Sequence, residues 1–259
     1  MHRKLTALAV LLLLLAMPAS AQLQKNVYVN DSVTIHGVMP TENITSLELN
    51  PSFTAIDDSN NITLNQMTLK GGYALDKHFN AGLEVPLARY GADGFAKQGL
   101  GDVLLSTTYT RYAPGGVFSY GVTSDFILPT ATDDLLGTGK VQVAPAVFGV
   151  LNPNPNFFVS LGYRQWVSVA GDGGREDINL GRIRSVAAYL SDSKWWALAD
   201  LRYLMDYHNS GQAEFAPEVE LGSMITTGTA VYIRSGFHAA GNMNQKDWGV
   251  SVGFKLLHL

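Results

Sequence analysis

Stretches of about ten residues in which apolar and polar side chains alternate recur along almost the whole chain. In the stretch 117–128, for example, Phe118, Tyr120 and Val122 fall on one face, and Ser119, Gly121 and Thr123 fall on the other. Successive side chains of a strand point to opposite faces of its sheet. Strands of this length suit a barrel whose outer face meets lipid and whose inner face lines a polar lumen. We therefore predict an all-β fold, an antiparallel transmembrane β-barrel.

Twelve such stretches can be placed, separated by clusters of Gly, Pro, Asn and Asp. Twelve is an even number, as in bacterial single-chain outer-membrane barrels. The links alternate between short and long, which predicts short periplasmic turns at one end and longer external loops at the other. The predicted strands are 44–56, 62–73, 80–88, 100–112, 117–128, 140–151, 157–169, 178–190, 195–206, 214–225, 230–239 and 247–256.

A soluble β-sandwich is the competing fold, because its strands also alternate. Glycine on the polar faces and aromatic residues near strand ends favour the barrel, since membrane interfaces attract Tyr and Trp. One feature counts against the barrel: the last residue, Leu259, is not aromatic. Leu259 also has the same parity as Lys255, which is predicted to point inward, so the last strand must contain a bulge or have a frayed end. The aromatic residues near strand ends are Tyr28, Tyr73, Tyr109, Tyr112, Tyr163, Trp195, Trp196 and Trp248.

The N-terminal residues are typical of a cleaved secretory signal peptide. A basic start, HRK, precedes the apolar stretch 5–17, and the small residues ASA at 19–21 supply a cleavage site. The apolar stretch is too short to span a membrane as a helix. The predicted organisation is a signal peptide at 1–21, a lead-in at 22–42 that forms a tail, a short hairpin or a plug, and a barrel at 43–259.

Composition and charge exclude several classes of function. Without Arg3 and Lys4, the chain has 16 basic and 22 acidic residues, and a mildly acidic chain has no electrostatic footprint for nucleic acid. The absence of cysteine excludes disulfides, thiolate metal sites and a cysteine nucleophile. Because the histidines lack metal-ligand spacing, we expect no metal and no cofactor.

Charged residues recur on the polar faces of the predicted strands. Inside a barrel they could form a constriction that selects solutes, or a salt-bridged filling that keeps the barrel rigid. The sequence leaves both possibilities open. The lumen-lining candidates are the acidic residues Glu48, Glu84, Asp102, Asp125, Asp200, Glu218 and Glu220, and the basic residues Arg164, Arg182, Arg184, Arg202, Arg234 and Lys255.

The longest link, 129–139, carries two acidic residues beside two adjacent leucines. A loop wholly in water gains nothing by displaying adjacent leucines. We therefore predict that the loop folds inward and gates entry; the alternative is a rim or connecting role. The expected apolar partners of the leucines are Phe126, Phe148 or Trp166. The gate candidates are Asp133, Asp134, Leu135 and Leu136.

Two stretches resemble a known family. GLGDVLLSTTY at 99–109 and ILPTATDDLLGTGKVQVAPAVFGV at 127–150 resemble outer-membrane proteins of the "MetA pathway of phenol degradation" transporter family. In that family a GLGD strand start is followed by an LPTG-like strand end, a GTG and a strand with a Pro; here Ala131 stands where Gly is frequent. The resemblance implies a small barrel related to fatty-acid-channel-like proteins and associated with hydrophobic or aromatic compounds. The glycines and prolines also have a structural interpretation, because such residues shape loops.

The combined patterns predict a passive channel for small solutes, hydrophobic or aromatic ones among them, in the outer membrane of a Gram-negative bacterium. We expect it not to be an enzyme. One alternative is a structural or adhesion barrel with a filled lumen. Another is an outer-membrane lipid hydrolase, since His208-Asn209-Ser210 has suitable residue types but, as neighbours in sequence, not the required geometry. The expected partners are outer-membrane lipid, a small-molecule solute and the barrel assembly machinery, but no nucleic acid; the oligomeric state stays open.

Overall fold

The computed structural model describes residues 40–41, 43–113, 117–209, 211–243 and 245–259. These residues form a closed antiparallel barrel of twelve strands. None of them belongs to a helix long and apolar enough to cross a membrane. The strand segments are β1 (Ser46–Asp57), β2 (Ile62–Ala74), β3 (Phe79–Ala92), β4 (Phe95–Leu100), β5 (Val103–Tyr112), β6 (Phe118–Leu128), β7 (Lys140–Asn154), β8 (Phe157–Gly171), β9 (Asn179–Leu190), β10 (Trp195–Asp206), β11 (Gln212–Phe215), β12 (Glu218–Thr226), β13 (Thr229–Phe237), β14 (Ala240–Gly241) and β15 (Trp248–Leu257).

Each barrel strand pairs with its neighbours in the chain, and β1 pairs with β15 to close the sheet. Three barrel strands are interrupted. Segments β4 and β5 both pair with β3, β11 and β12 both pair with β10, and β14 follows β13 and pairs with β11. Closure removes the edge strands that would otherwise expose backbone groups to lipid. The predicted barrel is confirmed, and the competing sandwich is wrong.

Most predicted strand bounds agree with the structure to within a few residues. The fourth predicted strand is the exception: it begins at Phe95 rather than residue 100, and Gly101 and Asp102 interrupt it. The interruption arises because the backbone there bonds to a loop. Thr130 Oγ1 donates to the Gly101 carbonyl at 3.0 Å and accepts from the Val103 N–H at 2.9 Å.

The two faces of the barrel differ as the alternation predicts. Leu161 and Val219 on the outer face are each 60% exposed, whereas their neighbours Ser160 and Glu218 are buried. An outer face of this kind matches hydrocarbon, and the inner face collects polar groups. The inner and outer positions of the strands therefore follow directly from sequence parity.

Trp196 does not lie at the membrane interface, so the prediction that places it there is wrong. It is buried inside the barrel, and its Nε1 donates to Glu220 Oε1 at 2.7 Å. Its neighbour Trp195 takes the outer face and is exposed, so only one of two adjacent residues can reach the interface. Tyr73 and Trp248 are exposed on the outside, as expected. Tyr112 is exposed at the strand end but has the inward parity of Thr110, directly opposite the buried Ser119.

The C-terminal end is frayed rather than bulged. Segment β15 ends at Leu257, which points inward and is buried. His258 follows with a φ of 60°, in the left-handed region, and Leu259 is 66% exposed. The left-handed residue breaks the alternation, so Leu259 no longer shares the inward direction of Lys255.

The two ends of the barrel differ in their links. We call the end with the links 58–61, 93–94, 129–139, 172–178, 207–211 and 242–247 the loop end, and the opposite end the turn end. Pro40 and Thr41 lie at the turn end, where Ser119 Oγ donates to Thr41 Oγ1 at 3.4 Å. The predicted signal peptide, the rest of the lead-in and Tyr28 lie outside the described residues.

Three apolar clusters fill parts of the interior. The largest lies in the turn-end half and includes Phe158, Trp196 and Tyr232. The other two lie in the loop-end half, one around Leu64 and Tyr90 and one around Trp166 and Leu180. Most of the charged inward side chains lie between these levels.

Candidate functional site

A cavity of about 240 Å³ occupies the turn-end half of the barrel. Its wall comes from β1, β2, β3 and β5 to β9, and Pro40 lies at its border. Inward-facing glycines make room for it. At Gly82 a Cβ would collide with Ser106 Oγ on the adjacent strand, so a larger residue would have to displace the wall. A second cavity, of about 30 Å³, lies beside β12, β13 and β15 and shares Lys70 with the first.

The structure places all the lumen-lining candidates inside the barrel, and except for Asp102 they meet in one layer near its middle. We call this layer the charged belt; it also contains Lys70 and Lys246. Buried charges lose their hydration, so each must find partners within the layer. The belt members from the sequence candidates are Glu48, Glu84, Asp125, Arg164, Arg182, Arg184, Asp200, Arg202, Glu218, Glu220, Arg234 and Lys255.

Asp200 is the hub of the belt on the β9–β13 side. It accepts hydrogen bonds from Arg184 Nη2 at 2.7 Å and from Arg202 Nη2 at 2.9 Å. Arg202 also reaches Glu218 at 2.8 Å. Arg234 bonds Glu220 at 2.5 Å. Bidentate and shared contacts of this type fix the guanidinium planes, which gives this side of the lumen a defined shape.

Glu48 is the hub of the adjoining side, where β13, β15, β1 and β2 meet. It accepts the Tyr232 hydroxyl at 2.7 Å and lies 3.5 Å from Lys255 Nζ and 3.8 Å from Lys70 Nζ. Lys70 Nζ is also 3.9 Å from Glu84 Oε2. The Glu84 side chain keeps 25% of its surface exposed to the cavity, so it is the most accessible carboxylate of this group.

Sequence reasoning missed Lys70, Lys246 and Tyr232. The alternation in the sequence could have identified Lys70. Met67, Leu69 and Tyr73 point outward on β2, and Lys70 has the opposite parity and therefore points inward. No such pattern could have identified Lys246, because it lies in the link before β15, where side chains do not alternate between two faces. Its Nζ nevertheless donates to Glu218 at 2.6 Å inside the barrel.

Asp102 serves the loop rather than the belt. Its carboxylate accepts the Thr138 N–H at 2.6 Å, the Thr138 hydroxyl at 2.8 Å and the Ala131 N–H at 3.2 Å. Thr132 adds a backbone bond to the Leu100 carbonyl at 3.0 Å. Both ends of the loop 129–139 are thus bound to the break between β4 and β5.

The loop folds inward, but onto partners other than those expected. Leu136 is buried to 4% exposure and packs in the cluster of Ile56, Leu64, Ala88 and Tyr90, and Leu135 is partly buried beside it. The expected contacts with Phe126, Phe148 and Trp166 are wrong. Phe126 points outward, and Phe148 and Trp166 belong to the other two clusters.

Two ion pairs hold the outer part of the loop. Lys97 Nζ lies 2.8 Å from Asp133, and Arg175 lies 3.1 Å from the Asp134 carboxylate and donates to the Asp134 carbonyl at 2.8 Å. Partial burial raises the pKa of Asp133, but hydrogen bonds from Lys97 and the Leu135 N–H outweigh it and leave that pKa below its ordinary value of 3.8. The Asp133–Lys97 pair therefore persists throughout the neutral and mildly acidic range.

Other links also fill the loop end. Ile178 packs with Trp166 and Leu180. Met243 and Gln245, from the link before β15, are both buried, and the Gln245 N–H donates to Glu214 at 3.2 Å. Side chains from several links therefore occupy the lumen at the loop end.

The histidines and the link 207–211 were the sequence features closest to a metal site or a hydrolase site. The described residues contain no group of three or more His, Cys, Asp or Glu side chains that could hold a metal. The N–H groups of His208 and Asn209 cap the Asp206 carboxylate at 2.9 and 3.0 Å, which is a turn geometry. Ser210 lies outside the described residues.

Comparisons with known proteins place the fold among bacterial channels. No family model matches the chain, and no curated protein matches it. The COG4313 outer membrane channel from Pseudomonas putida F1 is similar in structure, with a TM-score of 0.70, 13% identity and coverage of 83% of this chain and 96% of that chain. The NanC porin has a TM-score of 0.60, 12% identity and coverage of 81% and 98%.

A third similar structure is the KdgM porin, with a TM-score of 0.56, 13% identity and coverage of 82% of this chain and 98% of that chain. Each of the three proteins is covered almost completely, so the likeness extends over the barrel as a whole. At these identities the likeness concerns the fold. The chain has the fold of outer-membrane channels and porins.

Proposed function

We propose that this protein is a passive outer-membrane channel for small solutes in a Gram-negative bacterium. The observation that carries the proposal is the cavity of about 240 Å³, lined by charged and hydroxyl side chains, within a closed barrel whose outer face is apolar. A polar cavity enclosed by a lipid-facing wall gives a solute an aqueous space within the hydrocarbon layer, here in the turn-end half of the barrel. The predicted signal peptide supports export, and insertion would require the barrel assembly machinery.

Purified protein in planar bilayers tests the channel. We expect discrete conductance steps from protein whose unboiled form migrates faster on a gel than the heated form, as an intact barrel does. Folded protein without conductance and without solute flux in liposomes would contradict the proposal. Oligomeric state is to be measured on the same sample by light scattering.

The rival function is a structural barrel with a filled lumen. The charged belt and the three apolar clusters favour it, because together they occupy much of the interior. The cavity that extends from the belt to Pro40 favours the channel, because a barrel with a filled lumen would not keep a polar space of this size. The conductance measurement separates the two functions.

A relation to the MetA family is part of the proposal, and one contact between the two motif stretches supports it. Asp102 of the GLGD stretch binds Ala131 and Thr138 of the LPTA and GTG stretches, so the two motifs form one contact. We infer that the motifs mark a shared inward loop, and that hydrophobic or aromatic molecules are among the solutes. Their uptake by cells with and without the protein tests this.

We further propose that the loop 129–139 gates the channel. Leu136 packs on the inner wall and fills part of the lumen at the loop end. Asp102, Lys97 and Arg175 hold the loop in this position. Polar anchors can be broken and reformed at a smaller cost than a strand pairing, so the loop is the movable part of the loop end.

Acid should release this loop. Stabilisation by ionised Asp133 is present above its ordinary pKa and is lost as pH falls through the lowered folded value. We expect the contribution of Asp133 to be lost, and conductance to rise with that loss, only below about pH 4. An Asp133→Asn variant should conduct more at neutral pH and respond less to acid. An unchanged acid response in that variant would assign the effect to other groups.

A further inference from the structure

Three arginines stand together on one wall of the larger cavity. Arg164 on β8 is directly opposite Arg182 on β9, and Arg184, two residues further, is directly opposite Arg202 on β10. Like charges in directly opposite positions of an antiparallel sheet are destabilising. The fold tolerates two such pairs side by side, at the level where the cavity meets the belt.

Two of these arginines keep surface that faces the cavity, and Arg182 is buried beside them at the cavity wall. Arg164 bonds Asp125 and Arg184 bonds Asp200, yet both side chains stay partly exposed, by 14% and 15%. Arg182 lies with its guanidinium 4.8 Å from the Trp166 ring centroid, and Arg164 lies 5.5 Å from the same ring. Both guanidiniums are thus within cation–π distance of the Trp166 ring. All three arginines line the cavity.

The opposite wall has a different character. Glu84, with Lys70 between it and Glu48, faces the cavity from β3, and the hydroxyls of Ser106, Thr108 and Thr123 lie beside it. The β8–β9 wall thus has three cations beside one carboxylate, Asp125, whereas the opposite wall has two carboxylates and one cation, so the charge across the cavity is uneven. A field of this kind orients a solute that carries an anionic group at one end and a hydrogen-bond donor at the other.

We propose that this cavity is a binding site for small carboxylates, with the carboxylate on the Arg164–Arg182–Arg184 wall and a donor group toward Glu84. A guanidinium binds a carboxylate through two parallel hydrogen bonds. A bound anion would also relieve the repulsion between the opposed arginines. This inference rests on the proposed channel function and assigns it a substrate class, namely small organic anions.

Three probes of matched shape test the proposal: 4-hydroxybenzoate, 4-hydroxybenzyl alcohol and 4-hydroxybenzylamine. They share a ring and a phenol, and their charges at neutral pH are negative, zero and positive. Calorimetric titration of the folded barrel in detergent should show binding of 4-hydroxybenzoate in preference to both others. In planar bilayers, the reversal potential in a KCl gradient should show anion preference.

Arg182→Gln should weaken 4-hydroxybenzoate binding by roughly tenfold, the value of one lost charge-assisted contact, and should reduce the anion preference. Asp125→Asn should strengthen that binding, because it removes the carboxylate that holds Arg164. Arg111→Gln is the matched control, since Arg111 is exposed on the outer face and the charge change is the same. Folding of each variant is checked by the heat-dependent gel shift.

The outcomes separate the two proposals. Conductance with cation preference, or equal binding of the three probes, would overturn the carboxylate site and leave the channel in place. Selective binding of 4-hydroxybenzoate without conductance would support the site and overturn the channel. A loss of binding in Arg111→Gln equal to that in Arg182→Gln would overturn the assignment to the cavity wall. If Arg182→Gln fails to fold, the direction of the Asp125→Asn effect decides.

Discussion

An arginine in place of Leu105 is expected to prevent the barrel from assembling. Leu105 lies on the outer face of β5, opposite Leu83 and Phe126, which are also exposed. A charge on the lipid face near the middle of the membrane costs about 2–4 kcal/mol in a transmembrane barrel. The measurement is the yield of heat-shifted barrel in the outer-membrane fraction, which should fall strongly.

Ser106→Arg is the matched control for that substitution. Ser106 is the next residue in the strand and points into the cavity, directly opposite Asp125 and diagonal to Glu84, which lies two residues beyond its direct partner on β3. A new arginine there meets carboxylates rather than hydrocarbon, so assembly should proceed. Equal yields of the two variants would show that the assignment of inner and outer faces is wrong.

Replacement of Asp133 to Leu136 by a Gly-Ser-Gly-Ser linker should raise solute flux several-fold. The change removes the Lys97 and Arg175 ion pairs and the burial of Leu136, and burying one leucine contributes about 1.5–3 kcal/mol. The loop then no longer packs on the inner wall. Liposome swelling and single-channel conductance measure the effect.

A second variant tests the gating loop by changing Asp102, the residue that anchors it. Asp102→Asn keeps the size of the side chain but weakens its three hydrogen bonds to the loop, so it should raise flux less than the linker does. The gel shift should be unchanged in both variants, because the loop is not part of the barrel wall. Unchanged flux in both folded variants would reduce the loop to a connector.

The faces of the strands could be read from the sequence because lipid and lumen impose opposite demands on adjacent residues. Leu161 and Ser160, or Val219 and Glu218, had to differ in polarity wherever the strand crosses the membrane. The same rule assigned the charged residues of the belt to the inner face before any strand pairing was known. It failed at Trp196, since an aromatic residue satisfies either an interface or an apolar interior.

Contacts between elements could not be predicted in this way. The inward fold of the loop followed from its two leucines, but the cluster that receives Leu136 depends on the direction in which Asp102 holds the loop. Asp102 itself has the parity of a lumen residue, and its role becomes visible only where β4 and β5 separate. Lys246 lies outside any strand, so alternation gives it no direction.

The position of Glu48 has a consequence for how the barrel is made. Glu48 belongs to the first strand, whereas Tyr232 and Lys255 belong to the last two, so these contacts exist only after β1 meets β15. A buried carboxylate that lacks its partners is strongly destabilising. A sheet that remains open, or that closes out of register, would carry this cost inside the membrane. The Glu48 contacts therefore act as a check on correct closure, separate from any part they play in the passage of solutes.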